Sequence, residues 1–173
     1  MSLLMTYPTA GEKMTTNNTR YRAVTGFTLV ELMVVIAVFA ILATIGIPSF
    51  NNLAANNRAT SAANELLSTL QFARSEAVKR NEDIIAEPAS ATNWSAGWTV
   101  FRDVNDAELR SRHAQHTSVT IIGPPQLRFR PAGNVVGADS FSITVAGNAA
   151  AVRCLTLEAS GRGFVTSIEC PSP

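Results

Sequence analysis

Glu31 is the only ionisable side chain between Phe27 and Ile47, set within the apolar run FTLVELMVVIAVFAILATIGI. A carboxylate inside a hydrophobic span costs about 2.5–3.5 kcal/mol on insertion scales, so a residue in that position calls for a cationic partner. The competing reading is a glutamate bonded within its own helix. Two other groups have chemistry to offer. Cys154 and Cys170, the only cysteines, lie close together near the C-terminus. They read as buried thiols in a reducing compartment and as a disulfide in an oxidising one. Zinc is not expected there, because the ligand pairs it needs are missing. His113 and His116 have no acidic or cysteine partner at ligand spacing and read as solvated loop residues. There is no phosphate-cradling glycine loop, no H-E-x-x-H and no nucleophile elbow. No catalytic residue, metal or cofactor is therefore expected, and the enzyme reading has little support. Trp94 and Trp98 read as core or loop anchors rather than as a ligand cage.

The elements that carry these residues divide sharply. A whole-chain mean hydropathy of +0.13 conceals one greasy segment followed by a polar, mixed remainder. Residues 1–26 are polar, with Lys13, Arg20 and Arg22 against Glu12. Basic residues just before an apolar run hold that flank in the cytoplasm. Met5 and Met14 are alternative starts. The run from Phe27 to Ile47 is long enough to cross a bilayer as a helix at 1.5 Å per residue. It exceeds the roughly 7–15 apolar residues of an ordinary signal peptide, and Ala43-Thr44-Ile45 is not the expected cleavage site. Pro48 should kink or loosen the helix. The helix should still continue to about Asn81, because Ala59, Ala63, Leu66, Leu70, Ala73 and Ala77 follow alternating steps of four and three along one face. Arg58, Glu65, Glu76 and Arg80 fall mostly off that stripe, and Glu76–Arg80 is a favourably oriented i,i+4 pair.

Something must cover the stripe, and the remainder reads as β. Trp98–Arg102, Ser118–Ile122, Gln126–Arg130, Ser140–Val145, Arg153–Leu157 and Phe164–Ile168 are short β-branched or aromatic runs separated by Gly, Pro and Asn signals. Ile84–Ala86 offers one more, and the polar segment Asp103–His116 reads as the longest loop. The expected fold is α+β: a long N-terminal helix, membrane-spanning in its first half and amphipathic in its second, packed on an antiparallel sheet. Its parts are a leader over 1–26, an apolar segment over 27–50, an amphipathic helix over 51–82 and a β-rich head over 83–173. From Ile84 onward seven arginines face seven carboxylates with no lysine, and the net charge of the whole chain is +1. Nothing global calls for nucleic acid or an anionic surface. Behind an export segment the disulfide is the better reading of Cys154 and Cys170, and closing that loop would contribute about 3 kcal/mol on chain-entropy grounds.

At Gly26-Phe27-Thr28-Leu29-Val30-Glu31 the sequence resembles the type IV prepilin cleavage motif: a glycine before the cut, a residue N-methylated after it, and a glutamate at the fifth mature position. The resemblance implies cleavage by a prepilin peptidase after Gly26 and methylation of Phe27. Glu31 would pair with the N-terminal amine of a neighbouring subunit during assembly. Leu70–Asn81 (LQFARSEAVKRN), Phe129-Arg130-Pro131-Ala132-Gly133 and Ser160-Gly161-Arg162-Gly163 resemble segments of the GspH/FimT-type minor pilins and pseudopilins.

That family implies a pilin-like fold and a single-pass protein of the bacterial inner membrane with its head in the periplasm. The protein would then enter a pilus or pseudopilus with other pilins or pseudopilins as partners. Three functions are open: a minor type IV pilin that helps initiate or cap assembly, an H-type pseudopilin of a type II secretion system, and a DNA-binding minor pilin in natural transformation. Some FimT-type proteins carry Gly-Arg-x-Arg and bind DNA. Here the motif is Gly161-Arg162-Gly163-Phe164, with only the first arginine, so Arg162 is a candidate DNA contact in a disfavoured reading.

Overall fold

The computed structural model describes residues 26–170. The expected leader lies outside them except for Gly26, as do residues 171–173 of the expected head. Among the described residues one helix, α1 (Leu29–Arg80), precedes nine strands: β1 (Ile84–Ser90), β2 (Asn93–Arg102), β3 (Glu108–Arg112), β4 (Val119–Ile122), β5 (Leu127–Phe129), β6 (Val135–Val136), β7 (Ser140–Val145), β8 (Asn148–Leu157) and β9 (Gly163–Thr166). The chain divides into two compact units, Met1–Ala40 and Ile41–Pro173.

In the first unit α1 starts under a cap. The Thr28 hydroxyl accepts the Glu31 N–H at 3.2 Å, and the Thr28 carbonyl accepts the Leu32 N–H at 3.2 Å. Thr28 is thus the N-cap, with Glu31 at the third helical position. Its apolar side chains find no cover: Leu29 and Phe39 are 74% and 71% exposed. The most apolar stretch of α1 has a mean hydropathy of 2.7 and is long enough to cross a bilayer.

In the second unit α1 continues without interruption through Pro48, whose missing N–H leaves the Thr44 carbonyl without its helical donor. Burial begins at Ala55 and follows the expected stripe of Ala59, Ala63, Leu66, Leu70, Ala73 and Ala77. A third row of Ala55, Ala62, Thr69 and Glu76 at intervals of seven widens it. Glu76 therefore sits on the buried side, a correction to its expected place off the stripe. The helix ends where Asn81 turns left-handed (φ 55°) and the Glu82 N–H reaches back to the Ala77 carbonyl at 3.3 Å. This geometry satisfies a carbonyl that the helix itself leaves free.

The strands form one sheet in the order β6-β5-β1-β2-β4-β7-β8-β9, with β3 paired to β2, and every pairing is antiparallel. Alternate residues face the helix. Phe141, Ile143 and Val145 of β7 are buried, as are Ala151, Leu155 and Leu157 of β8. Trp94, Trp98, Phe129 and Phe141 fill the space between sheet and helix. The Trp94 indole donates to the Pro124 carbonyl at 2.8 Å, and its ring meets Phe141 edge-on with centroids 5.1 Å apart.

The segment read as the longest loop holds β3, which corrects that expectation. Glu108–Arg112 is a polar strand with no buried residue, so it leaves no hydrophobic alternation in the sequence. β9 stops at Thr166, short of the expected Ile168. Thr166 is the register partner of Cys154, and Cys170 is bonded to Cys154. Four more extended residues would carry Cys170 about 13 Å beyond its partner, so the chain must leave the strand and fold back.

Candidate functional site

The N-terminal turn gathers Gly26, Phe27 and Glu31. Gly26 and Phe27 precede the helix, Phe27 is 79% exposed, and nothing lies within 4 Å of where a Gly26 Cβ would stand. Glu31 is exposed in the first helical turn, where the unpaired N–H groups favour a negative charge. The start of α1 thus places Gly26 and Phe27 just before the helix and the exposed Glu31 carboxylate one helical turn on.

The second constellation lies in the head and joins the three segments that the sequence singled out. β6 and β9 stand at opposite ends of the sheet order, yet the Val135 N–H donates to the Ala159 carbonyl at 2.9 Å. The sheet therefore curls around α1 until its ends meet in a seam. Arg74 of α1 bridges that seam. Its Nε donates to the Gly133 carbonyl at 2.8 Å and its Nη2 to the Ser160 carbonyl at 2.9 Å. A planar guanidinium serves two acceptors at a fixed spacing, which a lysine ammonium does not.

Gly161 has φ +78°, and a Cβ there would clash with the Gly133 carbonyl and stand 2.8 Å from Arg74 Nε. Glycine is thus needed at this turn both for its left-handed backbone and for its lack of volume. At Gly163 a Cβ would come 2.6 Å from Leu67 of α1. The helix segment, the Pro-Ala-Gly turn and the Ser-Gly-Arg-Gly turn are parts of one closure. Sequence reasoning missed the role of Arg74, whose partners lie 59 and 86 residues away. The one available signal was a long cation beside the apolar stripe.

Arg162 is exposed beside the seam and makes no side-chain hydrogen bond or ion pair among the described residues. Phe164, where a fuller motif would carry its second arginine, pairs with Thr156 on the sheet face away from α1 and is 39% exposed. Cys154 shares that outer face, and its sulfur is bonded to that of Cys170 across a sequence separation of 16. Cys170 Sγ lies 3.2 Å from the Phe141 carbonyl oxygen, a contact without a proton because a disulfide sulfur carries none. His113 and His116 are exposed, and the Ser118 N–H donates to His116 Nδ1 at 3.2 Å. Among the described residues no group of His, Cys, Asp and Glu is arranged to hold a metal ion.

Ion pairs lock the exit of α1. Arg80 Nε stands 2.5 Å from Glu76, Arg102 forks onto Glu82 at 2.8 and 2.6 Å, and Arg128 reaches both Asp83 and Asp103. The Arg80 hydrogen bond holds the Glu76 carboxyl below the usual carboxylate range against the upward push of burial, with Lys79 helping. Arg102 does the same to Glu82, while Asp103 and then Asp83 raise the affinity of Arg128 for its proton.

Comparison with known proteins bears directly on this arrangement. The family described as Type II transport protein GspH matches residues 62–161, which include the helix segment and the Pro-Ala-Gly turn of the seam and reach Gly161 of the third segment. This chain belongs to the GspH family. The prokaryotic N-terminal methylation motif matches residues 21–47. A fimbrial protein of Pseudomonas aeruginosa is 35% identical over 79 residues, 45% of this chain, and that match spans only about half (51%) of the relative. The minor pilin FimU of Pseudomonas aeruginosa shares the fold with a TM-score of 0.57 at 27% identity, over 64% of this chain and 89% of FimU. The minor pseudopilin EpsH of Vibrio cholerae, at 14% identity and a TM-score of 0.50 over 63% of this chain and 96% of EpsH, shows the fold alone. This GspH-family chain thus pairs an apolar helix suited to a membrane anchor with a pilin-like head, and the relatives it resembles are structural pilins.

Proposed function

We propose that this chain is a minor type IV pilin that helps initiate or cap a filament. The observation that carries the reading is the uncovered apolar helix that begins directly after Gly26-Phe27-Thr28 and leads into a GspH-type head. A prepilin peptidase cuts after Gly26, and Phe27 becomes the methylated first residue. The precursor waits in the inner membrane with its head in the periplasm, then moves its helix among equivalent helices of other pilins. There the Glu31 carboxylate meets the amine of a neighbouring Phe27, which relieves the cost of carrying a charge in an apolar span.

The deciding experiment is mass spectrometry of the filament-associated protein. Methylated Phe27 as residue one supports the reading, and a mature chain that begins after Ala43 overturns it. Glu31→Ala should be cut normally yet enter filaments poorly. Equal incorporation of mutant and wild type would remove the charge-pairing step.

A second reading, the H-type pseudopilin of a type II secretion system, is favoured by the description of the matching family. Gene deletion separates the two: loss of surface pili supports the first, and loss of exoprotein secretion with pili intact supports the second. Binding of DNA ranks third, because Arg162 stands alone where a fuller motif has two arginines.

A further inference from the structure

Beside the seam an open groove of about 550 Å³ runs between the last turns of α1 and the turn before β6, lined among others by Gln71, Arg74, Val78, Lys79, Ala132 and Gly133. Its charged lining residues, Arg74 and Lys79, are both cations. Arg74 spends its N–H groups on two neutral carbonyls and has no carboxylate within salt-bridge distance among the described residues, so its full charge stays at the groove. Lys79 is 75% exposed, and its one carboxylate partner, Glu76 at 3.6 Å, is held more tightly by Arg80. Arg130 and Arg162 are exposed on the two adjoining turns. Val78 and Ala132 add exposed apolar surface, Val78 being 54% exposed.

We propose that this groove receives an acidic segment of a partner protein, with a carboxylate over Arg74 and Lys79 and an apolar side chain against Val78 and Ala132. A half-buried guanidinium without a counter-charge creates a local field that an aspartate or glutamate neutralises. The concave, partly apolar lining favours a peptide side chain over a phosphate backbone, which needs a broad run of cations to gain affinity. The groove's chemistry does not depend on which machine the chain serves, so a failed binding assay leaves the pilin reading untouched.

The test uses the full chain in detergent micelles and fluorescence anisotropy with three probes. These are a peptide alternating Asp or Glu with Leu, the same peptide with Asn and Gln in place of the acids, and a duplex DNA of random sequence. The acidic peptide should bind saturably and the amide peptide at least about fivefold more weakly. Lys79→Glu should weaken the acidic peptide about tenfold, as loss of a direct charge contact does. Ala132→Trp, which fills the groove from an exposed position, should abolish binding while circular dichroism stays unchanged. Equal binding of both peptides, or binding indifferent to both substitutions, overturns the proposal. So does DNA that binds near physiological salt and displaces the peptide, which would give the surface to nucleic acid.

Discussion

Arg74→Ala is the substitution that most directly tests how the head is held closed. It removes two hydrogen bonds from a charged donor, at 2.8 and 2.9 Å. Each such bond is worth about 1.5–3 kcal/mol net. The Gly133 carbonyl is buried and would be left without a donor, whereas the exposed Ser160 carbonyl can turn to water. The expected loss is therefore below the sum, about 2–4 kcal/mol, or roughly 10 °C in Tm for a head of this size. Urea unfolding of the full chain in micelles, followed by tryptophan fluorescence, reads it directly because Trp94 and Trp98 are both buried in the head core. The midpoint should fall with little change in slope. Arg74→Lys keeps the charge but cannot serve both carbonyls, and it should recover only part of the loss. A loss below about 0.5 kcal/mol for Arg74→Ala, within the range of an ordinary surface change, would show that the seam closes without the guanidinium and that the shared motif needs another explanation.

Cys154→Ser should lower head stability by about 2–4 kcal/mol, and alkylation should label the wild-type protein only after reduction; ready labelling of both sulfurs beforehand would contradict this. The Glu76 carboxyl is held below its ordinary range, so the stability it contributes is complete above the usual carboxylate pKa and disappears as pH falls through the depressed folded value. Glu76→Gln should therefore flatten the acid limb of the stability–pH curve, and an unchanged limb would remove the Arg80 pair from the account. Phe164→Arg occupies an outward, part-exposed position and should leave the head folded within about 1 kcal/mol. Gel retardation should show little duplex DNA bound by wild type near physiological salt and more by the variant, and tight wild-type binding lost in Arg162→Ala would place DNA uptake first.

The sequence by itself determined what depends on neighbours along the chain. A helix repeats every 3.6 residues, so the stripe from Ala59 to Ala77 declared both the helix and its buried side before any partner was known. The end near Asn81 was equally local, a matter of one residue adopting a left-handed turn. Strands such as Ser140–Val145 were legible because one face is buried and the other wet, which forces a two-residue alternation. β3 was illegible for the same reason, since none of its residues is fully buried and Leu109 alone leans on the core, and β6 was too short to carry a pattern.

Only the tertiary structure decided what rests on residues far apart. It brought Arg74 to the carbonyls of Gly133 and Ser160, turned Phe164 outward, set Glu76 at the edge of the core and curled the sheet until Val135 met Ala159. Each depends on register and sheet curvature summed over many strands. A small change in twist between neighbours accumulates around the helix, so the meeting of the two sheet ends is a property of the whole head and is written in no single segment.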